Sequence, residues 1–367
     1  MRRAAAVVLA ALSLLAPAGR AVAEPIFLSR QYVRCTGCHY SPTGGGLLTP
    51  YGRSLSREEL STFGKSRGSG PSGREHEFLF GALGDALRPV SVGAELWPAH
   101  LDVDAAGFNS TRNFLMNADV TLAFRHESWT AYGELGRQPR GGDTRIASFE
   151  HWLGYQTRHL GARAGRFLPA YGVRLADHTS FTRATLGLDT NDQVYALELS
   201  YTDDRHLLQV SVGEHADGDR AFTTTGRWQF DLTPRTVLVA SGLFRDASSL
   251  GPRGGSAGLA IGIAPSARLT IWAQGDARFR SATTSGKRAY TLLSDAAFEV
   301  YRGVWLKLSP QLLTEFGDAS AGVVRFVVGL NLLPRTHWNV VLNWYHDRDR
   351  KTDGSARTLL AQLHLYL

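Results

Sequence analysis

The stretch Phe114-Leu115-Met116-Asn117-Ala118-Asp119-Val120-Thr121-Leu122-Ala123-Phe124-Arg125 decides the fold. Phe114, Met116, Ala118, Val120, Leu122 and Phe124 share one parity, and Asn117, Asp119, Thr121 and Arg125 share the other. Side chains alternate across a strand, so this reads as a strand with one dry and one wet face. On that parity Met116 is expected on the dry side, away from any interior.

The pattern recurs along the chain. Leu269, Ile271, Ala273, Ala277 and Phe279 alternate with Thr270, Gln274, Asp276 and Arg278; Phe326, Val328, Leu330 and Leu332 alternate with Arg325 and Asn331. Leu359, Ala361, Leu363, Leu365 and Leu367 alternate with Gln362, His364 and Tyr366 at the C-terminus. About sixteen strands are expected: 90–103, 113–125, 128–137, 147–157, 160–170, 194–202, 205–215, 223–232, 235–245, 257–264, 267–279, 290–301, 304–316, 322–333, 336–346 and 357–367. Short links such as His126-Glu127, Arg158-His159, Asp203-Asp204, Thr233-Pro234, Pro265-Ser266, Arg302-Gly303 and Pro334-Arg335 alternate with long polar ones at 138–146, 171–193, 246–256 and 347–356. Only the loop at 317–321 is shorter than this scheme wants.

Short turns on one side, long loops on the other and an even strand count describe an all-β, antiparallel outer-membrane β-barrel. The strands match the roughly 9–11 residues that cross a bilayer at a tilt. A soluble sandwich or propeller shares the alternation, but soluble strands average about 5–6 residues and lack the two-sided loop pattern. Both barrel ends fall on the short-turn side, so the termini are expected to face the periplasm.

Composition agrees. Of 367 residues 20% are charged and 43% hydrophobic, with 39 Gly and 14 Pro, which excludes wholesale disorder, collagen and coiled coil. After residue 23 no apolar run reaches the roughly 18–20 residues of a membrane helix. Met1-Arg2-Arg3, the apolar Ala4–Leu15 and Ala21-Val22-Ala23 form a secretory signal over 1–23. The formal charge is +7; taking Arg2, Arg3 and Arg20 from the 40 bases leaves 37 against 33 acids, or +4, too small and scattered to imply nucleic acid. Lumen-parity residues Asp119, Arg125, Asp276, Arg278, Glu299, Lys307 and Arg325 carry both signs, as any porin wall does.

The chemistry sits near the N-terminus. Cys35-Thr36-Gly37-Cys38-His39 is C-x-x-C-H and holds both cysteines of the chain. Two thiols three residues apart on one turn can each add to a haem vinyl group, and the adjacent His39 supplies the proximal iron ligand. A thioredoxin-type redox pair would need a βαβ context, and a zinc site would need further ligands. One covalent haem c on Cys35 and Cys38 is therefore expected. For the sixth ligand, Met116 is assigned to the dry face, His126 and His159 lie in short turns, His337 lies beside one, and His364 points inward near the closing strand. His178, in the 23-residue loop 171–193, is the distal-ligand candidate, since so long a loop is usually functional or a lumen plug.

These features together resemble the fused monohaem cytochrome–porins of the outer-membrane iron-oxidase type. The likeness rests on Pro25-Ile26-Phe27, Arg30-Gln31-Tyr32, the haem motif and Leu48-Thr49-Pro50-Tyr51-Gly52-Arg53, over about residues 24–56. Ser41-Pro42-Thr43-Gly44-Gly45-Gly46 departs from it in being Gly-rich. The expected organisation is a signal peptide at 1–23, a haem module at 24–65, a linker at 66–89 and a lipid-embedded barrel at 90–367. The resemblance implies an electron conduit, an iron(II):cytochrome oxidoreductase in effect. Its haem would take single electrons from an extracellular donor such as Fe(II) and pass them to a periplasmic cytochrome or other carrier. It also implies that the third long loop folds into the lumen.

Overall fold

A computed structural model describes residues 25–60, 89–137, 146–175, 177, 179–189, 192–216, 221–247, 252–280 and 288–367. The signal sequence, the segment 61–88 and His178 lie outside the described residues.

Sixteen strands form one closed barrel, each paired antiparallel with its sequence neighbours. They are β1 Val90–Ala105, β2 Phe108–His126, β3 Trp129–Arg137, β4 Ile146–Gln156, β5 Leu160–Phe167, β6 Val194–Thr202, β7 His206–His215 and β8 Phe222–Thr233. The second half comprises β9 Thr236–Arg245, β10 Gly254–Ser266, β11 Leu269–Arg280, β12 Arg288–Tyr301, β13 Val304–Glu315, β14 Asp318–Arg335, β15 Trp338–Asp349 and β16 Ser355–Tyr366. β1 pairs with β16 and closes the ring, leaving no sheet edge. With sixteen strands, the start of β1 and the end of β16 share the short-turn rim.

Several expected bounds shift. β5 ends early, at Phe167 rather than 170, while β2 begins at Phe108 rather than 113, β10 begins at Gly254 rather than 257, and 318–321 of the expected loop belong to β14, joined to β13 by Phe316-Gly317 with Glu315 opposite Asp318. Pairing continues past the expected bounds because a hairpin extends wherever its ladder stays unbroken.

The two faces differ as the alternation requires. Val120, Leu122, Leu197, Leu199 and Leu259 are exposed outward, while Thr121, Gln229, Asp276, Thr291 and Ser309 are buried inward. A continuous apolar outer belt of this kind is a lipid-facing surface. At the short-turn rim Trp129, Tyr155, Tyr201, Tyr301 and Trp338 stand exposed, an aromatic girdle where acyl chains give way to headgroups.

One parity assignment is overturned. Trp97 lies opposite Asn117, but Pro98 lies opposite Leu115, so Met116 is an extra residue in a β-bulge. Pro98 has no N–H to give the ladder, and proline inside a sheet is confined to edges and bulges. The bulge reverses the parity of what precedes it. Phe114 and Met116, expected on the dry outer face, pack against the interior cluster of Ala99, Val327, Tyr345 and Leu360.

The lumen is filled from both ends. From the short-turn side comes the N-terminal segment: a 3-10 turn Pro25–Arg30, a second turn Cys35–Gly37, the helix α1 Pro50–Leu55 and a π-helical turn Ser56–Leu60. Leu28 is fully buried among Val237, Val239, Ala260 and Trp272. Ile26, Phe27 and Leu60 pack on Ala297, Trp305 and Leu333. From the other side the β5–β6 loop turns inward, as the resemblance implied, and carries the short helix α2 Phe181–Ala184. Tyr171 Oη donates to Asp276 (2.8 Å), Val173 N to Gln274 Oε1 (2.8 Å) and Phe181 N to Gln311 Oε1 (2.9 Å), pinning the loop to the far wall.

Candidate functional site

The haem motif lies inside the barrel. His39 N donates to Cys35 O at 3.0 Å and Cys38 N to the same oxygen at 3.2 Å, so Cys35, Cys38 and His39 lie on one helical turn. The following residues hold that turn. Thr49 caps α1 by accepting from Gly52 N (3.1 Å), its hydroxyl donates to Gly37 O (2.8 Å), and its own N–H donates to Cys38 O (2.8 Å). Pro50 occupies the first helical turn, where its missing N–H has no partner to lose. At Gly52 an added Cβ would lie 2.3 Å from Cys38 O, so only glycine lets the helix sit on the motif. These contacts give Leu-Thr-Pro-Tyr-Gly-Arg a structural cause.

Gly44, Gly45 and Gly46 have φ of +81°, +75° and +57°, a left-handed run that side chains resist. The run curls the chain over the motif, and Gly45 O meets His39 Nδ1 at 3.0 Å. In that contact Nδ1–H donates to the carbonyl, which leaves Nε2 as the nitrogen that could ligate a metal, the usual arrangement behind a metal-bound imidazole. Burial, with the Arg174 charge adding to it, pushes the His39 pKa down to about 4. The ring is therefore neutral near pH 7, as ligation requires.

Cys35, Cys38 and His39 line one cavity of about 630 Å³, within the range that holds organic cofactors. Its lining also includes Met116, Glu95, Asp119, Glu134, His364 and Tyr366. The Glu95–Asp119 pair sits side by side because β1 and β2 place them opposite. A second bulge, where Phe149 and Glu150 together face Glu134, turns Glu150 inward as well. Among the described residues no cluster of three or more His, Cys, Asp or Glu side chains is arranged to hold a bare metal ion. Paired thiols, a histidine with an oriented ring and an adjoining cofactor-sized space fit a covalently attached haem.

The other histidines are spread out. His159 Nδ1 contacts Thr202 O at 2.9 Å at the short-turn rim, and His126 ends β2. His337 and His364 both reach the cavity, His364 Nε2 lying 3.3 Å from Glu95 Oε2 with its ring 4.0 Å from that of Trp97. Sequence reasoning missed Met116, the acidic wall and Arg174, which reaches from the inturned loop to Thr43 O (3.0 Å). Pro98, which lies opposite Leu115 next to the extra Met116, is the one signal that pointed to the bulge.

No protein-family model matches the chain, and no curated protein matches it. Solved structures do. The outer membrane channel DcaP of Acinetobacter baumannii aligns with a TM-score of 0.58 at 10% identity, covering 76% of this chain and 97% of that one. OmpT of Vibrio cholerae lacking loop L8 gives 0.60 at 10%, covering 76% and 99%. An anion-selective porin from Comamonas acidovorans gives 0.58 at 12%, covering 76% and 99%. At these identities the likeness is one of fold: this chain forms an outer-membrane porin-type barrel.

Proposed function

We propose that the protein is an outer-membrane electron conduit, passing single electrons between an extracellular donor such as Fe(II) and a periplasmic cytochrome or other carrier through one covalent haem c. One observation carries this reading: the C-x-x-C-H turn lies within the lumen, on a cofactor-sized cavity between two inserts that fill the barrel. A filled lumen suits electrons better than solutes. The porin fold, the apolar belt and the aromatic girdle support an outer-membrane location, and the short-turn rim carrying both barrel ends is assigned to the periplasm.

Bound in this cavity, a haem supplies a one-electron Fe(III)/Fe(II) couple. Cys35 and Cys38 would anchor it by thioether bonds, and His39 would ligate the iron through Nε2, with Gly45 O fixing the ring. The walls keep bulk water away, and the electron lost by Fe(II), which becomes Fe(III), is accepted by the periplasmic carrier. An insulating bilayer core about 30 Å thick otherwise separates donor from acceptor.

The test is anaerobic mixing of the haem-loaded, detergent-purified protein with Fe(II), following the visible bands of reduced haem. Prompt reduction supports the conduit and its donor. Normal reduction by dithionite with none by Fe(II) keeps the conduit and replaces the donor. No haem-stained band on a denaturing gel, together with solute-sized single-channel currents, overturns the reading in favour of a diffusion porin.

A further inference from the structure

We propose that Met116 is the distal ligand of the iron held by His39. The inference rests on the haem reading above and adds the identity of the sixth ligand.

The chain has two methionines, and Met1 belongs to the start, so Met116 is the one thioether in the barrel. Alternation alone would send it to lipid with Ala118, Val120 and Leu122. The bulge at Trp97-Pro98 against Leu115-Met116-Asn117 turns it inward instead, onto the cavity that Cys35, Cys38 and His39 line. Bulges are used beside active sites to re-aim one side chain. Nothing in sheet packing requires a thioether here; Leu or Ile would fill the Ala99, Val327 and Leu360 cluster as well.

The sulfur is also held. Gln362 Nε2 donates to Met116 Sδ at 2.9 Å, across the β1–β16 closure and 246 positions away in sequence. A thioether sulfur has two lone pairs, so an amide on one leaves the other for a metal. Thioether is a soft, neutral ligand that c-type haem iron accepts opposite histidine, and it raises the potential.

The neighbouring histidines are turned to other partners. His364 directs Nε2 at Glu95 Oε2 (3.3 Å), and its ring lies between Trp97 (4.0 Å between ring centres) and Tyr366 (5.1 Å). His337 belongs to the β14–β15 turn at the short-turn rim, with its ring 5.6 Å from that of Tyr366.

The experiment compares full-length, haem-loaded protein with Met116→Leu, Met116→Ala, His364→Ala and His178→Ala. In the wild type the ferric spectrum should carry the weak far-red sulfur-to-iron charge-transfer band, and the ferrous protein should bind carbon monoxide slowly. Met116→Leu, which keeps volume and fold, should abolish the band and speed carbon monoxide binding at least tenfold; Met116→Ala should do the same. His364→Ala and His178→Ala should keep the band. Covalent haem without the band, or a band lost in His364→Ala or His178→Ala and kept in Met116→Leu, overturns the assignment and leaves the haem reading standing. Wild-type protein with no covalent haem overturns both.

Discussion

Arg34, the residue before the first haem cysteine, forks onto Asp231 of β8, its Nε and Nη2 donating to Oδ2 at 3.0 and 2.8 Å. Its Nη1 reaches Thr202 Oγ1 (2.5 Å) and Asp203 O (2.6 Å) at the β6–β7 turn. One side chain thus ties the haem turn to two hairpins of the barrel wall. A bidentate guanidinium gives geometric specificity that an ammonium cannot.

Removing that fork should loosen the insert without unfolding the barrel. Arg34→Ala leaves the buried Asp231 without its cation, at a cost of about 2–3 kcal/mol in insert–wall contact. In planar bilayers the wild type should be closed and Arg34→Ala should show intermittent openings; Arg34→Lys should fall between. A permanently open wild type would contradict a filled lumen.

Cys35→Ala and Cys38→Ala should eliminate covalent haem, read as loss of the haem-stained band. The sixteen-strand ladder does not involve either cysteine, so the heat-modifiable band of the folded barrel should persist. Loss of that band in both variants would mean the barrel needs the haem to fold.

Gly44→Ala places a Cβ at φ +81° and 3.1 Å from Cys35 Sγ. The left-handed backbone costs a non-glycine residue about 1–2 kcal/mol, and the added methyl crowds the thiol that must react. Haem content per barrel should fall severalfold while barrel melting, followed by circular dichroism, stays unchanged.

Leu197 faces outward between Ala164 and Val212 in the middle of β6. Leu197→Arg puts a charge on the lipid side at a cost of about 2–4 kcal/mol near the bilayer midplane. Urea-driven unfolding in lipid vesicles should shift by that amount. No shift would place this face away from lipid.

Much of the architecture was legible because alternation is local. The dyads Leu269/Thr270 and Phe326/Arg325 each report two faces from adjacent residues, and β6 matches its expected bounds of 194–202. The C-x-x-C-H segment was equally readable as a local element, since Cys35, Cys38 and His39 lie within one helical turn. Leu-Thr-Pro-Tyr-Gly-Arg was visible as text, but its reason, Gly52 against Cys38 O, appeared only with the backbone folded.

By itself the sequence determined the strands, their turns, the porin-like class and the local C-x-x-C-H turn, because each rests on residues close along the chain. Tertiary structure decided what surrounds that motif. Met116 faces inward because Pro98 on a neighbouring strand denies the ladder a hydrogen bond, and Gln362 reaches its sulfur only because β1 closes against β16. A period of two assumes an unbroken ladder. Where a partner strand breaks it, the face of a side chain is a property of the sheet.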